Sequence, residues 1–162
     1  MAEFQARRVT HEYTQRNDAS PERVFPLLCP VREIDWVPGW RYRLIYSQSG
    51  VAELGCVFAT PNDDGSETFW VVSDYDPAAF RIAFVWLWHG IATCHLRIQL
   101  QACDEQKTSA LIRYTYTGLS AKGNEVVAHY SREWFESKMK GWEAAINHYL
   151  RTGQKLSAEP WG

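Results

Sequence analysis

The sequence lacks the local signatures from which an activity is usually read. No GxSxG elbow, Walker sequence or GxGxxG occurs, and Gly55, Gly90 and Gly123 stand alone. Acyl-serine hydrolysis, nucleoside triphosphate binding and dinucleotide binding therefore find no support. Histidines and cysteines never fall at ligand spacing, with no HxH, HExxH or Cys/His set, so neither a metal nor any other cofactor is expected. The cysteines Cys29, Cys56, Cys94 and Cys103 form no CxxC pair, and the opening MAEFQARR holds no apolar stretch of a secretion signal. Free thiols in a reducing cytoplasm are the expectation. The longest apolar run, around Ile82 to Trp88, is far short of the roughly 20 residues that cross a bilayer, which excludes integral membrane association. Basic runs are missing too. A formal net charge of -2 and a pI near 6.2 leave no footprint for nucleic acid or an anionic membrane.

What the chain has in excess is aromatic rings. Eight Trp, eight Tyr and seven Phe supply 14% of 162 residues, and each ring can bury roughly 150–250 Å². That exceeds what a core of this size requires, so some rings are expected to line a cavity. No repeat, linker or low-complexity tract divides the chain, and a single domain over 1–153 with a C-terminal tail over 154–162 is expected.

Periodicity sets the order of elements. Phe4 to Gln15 alternates as a strand, and Arg16-Asn17-Asp18 reads as a turn. Ser20-Pro21-Glu22 then offers an N-cap hydroxyl, a proline at the first helical position and a carboxylate in the first turn. A second short helical turn over 31–36 is closed by Val37-Pro38-Gly39-Trp40. From Arg41 to Gly118 the period becomes two, and six strands fit near 41–48, 51–60, 66–75, 80–89, 91–103 and 108–118. After Gly118 the period returns to about 3.6, with Ser131 as N-cap of a long amphipathic helix from about Arg132 to Thr152 and Gly153 as its stop. Ser120 to Tyr130 is expected to be a separate helical piece, because Gly123-Asn124 weakens continuity.

This order of strand, two short helices, six strands and long helix resembles the START-like or SRPBCC superfamily, which holds birch-pollen-allergen-like and polyketide cyclase-like proteins. The phrases that carry the resemblance are Ala19-Ser20-Pro21-Glu22-Arg23-Val24-Phe25, Trp36-Val37-Pro38-Gly39-Trp40 and the segment from Trp142 to Leu150. The last two are similar to a bacterial subgroup of that superfamily. The resemblance implies an α+β helix-grip fold, a curved seven-stranded antiparallel sheet around the C-terminal helix, with a space between them for lipids, polyketides or other hydrophobic molecules. Chemistry varies widely on this fold, so function does not follow from it.

The rings whose phases could meet inside are Phe58, Trp70, Phe84, Trp86, Trp88, Tyr114, Tyr116, Trp134 and Trp142, and each read singly is first a packing residue. Trp36 and Trp40 flank a Pro-Gly turn where similar proteins have the cavity mouth, which makes them candidate lid residues. His11, His89 and His95 could shuttle protons, and Asp35 or Glu53 with Arg43 or Arg113 could polarise a carbonyl. A surface position carries more weight for each of these charged groups. The reading is therefore a container for a small hydrophobic molecule. Its rivals are a polyketide cyclase, dehydratase or hydrolase working through a cavity His, Tyr or carboxylate, and a protein-interaction domain of the same fold. Pairing of two copies as a homodimer stays open.

Overall fold

In the computed structural model, which describes residues 3–157, seven strands form one antiparallel sheet in the order β1-β7-β6-β5-β4-β3-β2. The strands are β1 (Arg8–Asn17), β2 (Arg43–Tyr46), β3 (Val57–Pro61), β4 (Glu67–Asp76), β5 (Arg81–Trp88), β6 (Ala92–Asp104) and β7 (Lys107–Gly118). Every strand from β2 to β7 pairs with its sequence neighbour, and β1 closes the other side against β7 with Arg8 opposite Thr117 and Asn17 opposite Thr108. Register shifts beside Leu44, Val72 and Ala102 interrupt the ladders. Such bulges bend a strand and sharpen its twist, which is how a sheet comes to wrap a helix.

Alternation decides the faces. Ile82, Phe84 and Trp86 are buried on β5, and Cys94, Leu96, Ile98 and Leu100 are buried on β6, while Val85, Leu87, Arg97 and Gln99 point outward. The helix α4 (Arg132–Thr152) lies on the inner side and buries Phe135, Met139, Ala145 and Ile146. Its far half is tied to the end of β1 by polar bonds. The Tyr13 hydroxyl and the Arg16 amide donate to the Glu143 carboxylate at 2.8 and 2.6 Å, and Asn147 accepts from the Asp18 amide at 3.0 Å while donating to the Arg16 carbonyl at 2.9 Å.

Three local expectations change. The hydroxyl of Ser20 does not cap α1 (Pro21–Val24); its carbonyl accepts from Arg23 and Val24 instead. A 3-10 turn follows at Phe25–Leu27, because Pro26 has no amide to continue an α-helix. The second short helix, expected over 31–36, is α2 (Pro30–Glu33) and starts on Pro30 as its first residue. The strand expected from 51 begins at Val57, since residues 47–53 curl around Glu53, whose carboxylate accepts from Ser47, Gln48 and Ser49. That hydrogen bonding, the Ser49 hydroxyl first, holds the Glu53 carboxyl at a pKa of about 2.

The separate helix expected after Ser120 is α3 (Ala121–His129), capped by the Ser120 hydroxyl at the Gly123 amide, 3.0 Å. Gly123 serves contact more than flexibility: a Cβ there would stand 1.7 Å from the Ile91 carbonyl oxygen. Asn124 stitches the N-terminal segment, accepting from the Arg7 amide at 2.7 Å and donating to the Gln5 carbonyl at 2.9 Å. The expected tail starts after Gly153, which takes the left-handed conformation (φ 73°) past the last turn of α4. Leu156 still packs against the core, and residues 158–162, with Glu159-Pro160-Trp161, lie outside the described residues.

Candidate functional site

A cavity of about 610 Å³ lies between the inner face of the sheet, the short helices and α4. Pockets that hold small molecules span roughly 300–1,000 Å³ and are mostly apolar with a few placed polar groups. Here the sheet contributes Phe58, Trp70, Phe84, Leu96, Ile98 and Tyr114, and α4 contributes Trp134, Met139 and Trp142. The Val37-Pro38-Gly39-Trp40 turn and Leu28 close the remaining side.

The rings are arranged as a continuous wall. Phe58 stacks on Trp70 with centroids 5.3 Å apart and 15° between planes, and Phe84 meets both edge-on. Tyr114 meets Phe135 edge-on at 5.3 Å, and Trp134 stacks on Tyr130 at 4.7 Å. Two of the indoles have their N–H groups satisfied away from the space they border. Trp70 donates to the Thr60 hydroxyl at 3.0 Å and Trp40 to the Pro30 carbonyl at 2.8 Å. Trp40 and Trp70, each held by both a stacked ring and an N–H bond, keep their places without an occupant.

Of the rings singled out in the sequence, Trp40, Phe58, Trp70, Phe84, Tyr114, Trp134 and Trp142 border the cavity. Trp36, Trp86, Trp88 and Tyr116 do not. Trp36 is not at the mouth: it is fully buried, donates to the Leu27 carbonyl at 2.9 Å and packs on Trp142 with centroids 4.9 Å apart. It supports a lining residue from behind. Trp86 and Tyr116 pack against each other beyond the cavity wall, and Trp88 reaches the Ser66 hydroxyl at the strand end.

None of the histidine, carboxylate or arginine candidates named from the sequence borders this space. His11 stacks on Phe135 at 5.2 Å and bonds the Tyr130 carbonyl at 2.6 Å, His89 is exposed at a turn, and His95 lies on the outer face beside Arg97. Asp35 pairs with Arg32, Arg43 with Glu67, and Arg113 with Glu12, all on the surface.

The ionisable groups that do border the cavity are Glu33, Lys138 and Tyr114. Glu33, the last residue of α2, is partly buried, borders the cavity and makes no side-chain hydrogen bond or ion pair among the described residues. Burial pushes its carboxyl up to a pKa of about 8, so it is mostly protonated at neutral pH. Lys138 extends from α4 with its Nζ 4.9 Å from the Tyr114 centroid and 5.2 Å from the Trp134 centroid. Burial lowers its pKa, opposed by the nearby Cys94. The Tyr114 phenol is raised, by burial first and then by Cys94 and Glu33. An apolar chamber thus holds a neutral acid, a weakened ammonium and a phenol.

Glu33 gave no sequence signal, because a four-residue helix has no face to read. Lys138 did give one. It falls four residues after Trp134 and four before Trp142, inside the apolar stripe of the long helix, where a charged residue breaks the pattern.

Neither a protein-family profile nor a curated protein sequence matches the chain. Solved structures do match in shape. Norcoclaurine synthase from Thalictrum flavum, in complex with dopamine and hydroxybenzaldehyde, aligns with a TM-score of 0.67 at 11% identity over 93% of this chain and 91% of that one. The Zhui aromatase/cyclase from Streptomyces sp. R1128 aligns at 0.63 and 14% over 94% and 100%. Ara h 8.0201 aligns at 0.57 and 18% over 90% and 99%. Identities this low establish shape alone. With its seven-stranded antiparallel sheet closed on one long C-terminal helix, the chain has the helix-grip fold of the START-like, or SRPBCC, proteins.

Proposed function

We propose that the protein binds a small hydrophobic molecule bearing at least one ring, in the cavity between the sheet and α4. The observation that carries this reading is an aromatic-walled space of about 610 Å³, in which Trp40 and Trp70 are anchored by N–H bonds to the surrounding structure. The structures of similar fold are in keeping with it, since one holds dopamine and hydroxybenzaldehyde and another is an aromatase/cyclase. Free thiols at Cys29, Cys56, Cys94 and Cys103 fit work in a reducing cytoplasm. Native mass spectrometry of the purified protein, with a titration by 2-naphthol followed through Trp fluorescence, tests the reading. Saturable one-to-one quenching supports it; no bound molecule and no response to the probe defeats it.

A second reading, acid–base chemistry inside the same chamber, is favoured by Glu33 and Tyr114 in the lining. A carboxyl with a pKa near 8 can both give and take a proton at neutral pH. An enolisable aromatic ketone such as 2-tetralone should then exchange its α-hydrogens with deuterated water faster in the presence of protein, and Glu33→Gln should remove most of that acceleration. Equal exchange rates with and without protein would leave binding as the whole function.

A further inference from the structure

Binding of an apolar ring gives Lys138 nothing to do, yet the fold places it with care. The remaining lysines, Lys107, Lys122, Lys140 and Lys155, are exposed, whereas Lys138 crosses the lining and ends over two ring faces. Among the described residues it pairs with no carboxylate. An amine set in an apolar lining without a counter-ion is the arrangement that makes lysine a nucleophile toward carbonyl carbon. Glu33, in the lining of the same cavity and also without a partner, is a carboxyl able to supply a proton within that space.

Resting on the binding reading above, we propose that the occupant carries an aldehyde or ketone on its apolar frame and that Lys138 captures it covalently as an imine. The neutral Lys138 amine attacks the carbonyl carbon, a C–N bond forms as the C=O π bond breaks, and one proton passes from the nitrogen to the oxygen to give a neutral carbinolamine. Glu33 donates its proton to the carbinolamine hydroxyl, the C–O bond breaks and water leaves. The nitrogen lone pair forms the C=N bond, and the resulting iminium proton returns to the Glu33 carboxylate. The sum is amine plus carbonyl giving imine plus water, with no change of oxidation state. The cation–π seat over Tyr114 and Trp134 suits the iminium as well as the ammonium it replaces.

The test is reductive trapping. The full chain is equilibrated with 2-naphthaldehyde and treated with sodium borohydride, whose hydride reduces the imine to a stable secondary amine. Intact-mass measurement should show one naphthylmethyl group per chain, and peptide mapping should place it at Lys138. Lys138→Arg should lose that adduct while Lys140→Arg keeps it, and Glu33→Gln should slow labelling by about tenfold or more. In parallel, 2-naphthol, which has no carbonyl, reports on the cavity through Trp quenching. If naphthol binds but label is absent, or spreads over Lys107, Lys122, Lys140 and Lys155, the imine is overturned and the container stands. If naphthol does not bind and no adduct forms, both fall. Should Lys138→Arg fail to fold, the mapped position on the unaltered protein decides alone.

Discussion

The ammonium nitrogen of Lys138 stands 4.9 Å from the centroid of the Tyr114 ring, joining the long helix to the last strand across the cavity wall. A cation over a ring face is attracted by the ring quadrupole, which offsets part of what the charge loses on leaving water. Glu33 has no such compensation, and the difference between the two residues shapes how the protein should respond to pH.

Glu33 has its pKa raised from 4.5 to about 8 in the folded chain. Between those values the native state holds a proton that the unfolded state has released, so stability falls as pH rises through that window and levels off above it. Glu33→Gln removes this slope. Urea denaturation at pH 5 and at pH 9 should show the variant gaining on the parent at the higher pH by as much as a few kcal/mol, at ~1.4 kcal/mol per pKa unit. Lys138, Tyr114 and Cys94 face the same region and remain in both chains, so the comparison isolates Glu33. Parallel pH profiles would mean that its carboxyl is solvated.

Filling the space should abolish binding at little cost to folding. Leu96 lies on the cavity floor, and Leu96→Trp adds a ring into emptiness rather than into a packed core, where overpacking usually costs about 1–3 kcal/mol. The melting temperature should fall by only a few degrees while 2-naphthol affinity drops by tenfold or more. An unchanged affinity would move the binding site elsewhere.

Serines precede α1, α3 and α4, and the one before α1 does not cap. Ser131 Oγ accepts from the Trp134 amide at 3.1 Å, whereas Ser20 makes no such bond. Ser131→Ala should cost about 1 kcal/mol in chemical denaturation, and Ser20→Ala close to nothing. Equal effects would contradict the cap geometry.

Gly123 is where α3 touches the turn before β6. The 1.7 Å approach of a Cβ to the Ile91 carbonyl oxygen leaves no room for alanine, and the clash is with backbone that cannot rotate away. Gly123→Ala should destabilise by about 2 kcal/mol or more, despite alanine's better helix propensity. A rise in melting temperature would show that the helix stands farther off.

Much of the architecture was legible because it rests on local chemistry. Period-two alternation marked β4 to β7 to within about a residue or two, and Ser131 and Gly153 bounded α4. Where the pattern misled, a contact that local sequence does not display had intervened. Residues 51–56 alternate well enough for a strand, but Glu53 gathers the amides and hydroxyls of the preceding turn and folds them into a loop. Trp36 and Trp40 flank one turn symmetrically, yet one is sealed behind Trp142 and the other borders the cavity.

The sequence by itself determined that the chain would build an antiparallel meander, one long amphipathic helix and an interior rich in rings, because periodicity and turn chemistry act over a few neighbours. Only the tertiary structure decided which ionisable groups leave water. Solvation depends on everything that surrounds a side chain, and the walls around Glu33 and Lys138 come from segments far apart in the chain, the short helices, the sheet and α4. The proton chemistry of the cavity is therefore a property of the closed fold and is written in no single stretch of residues.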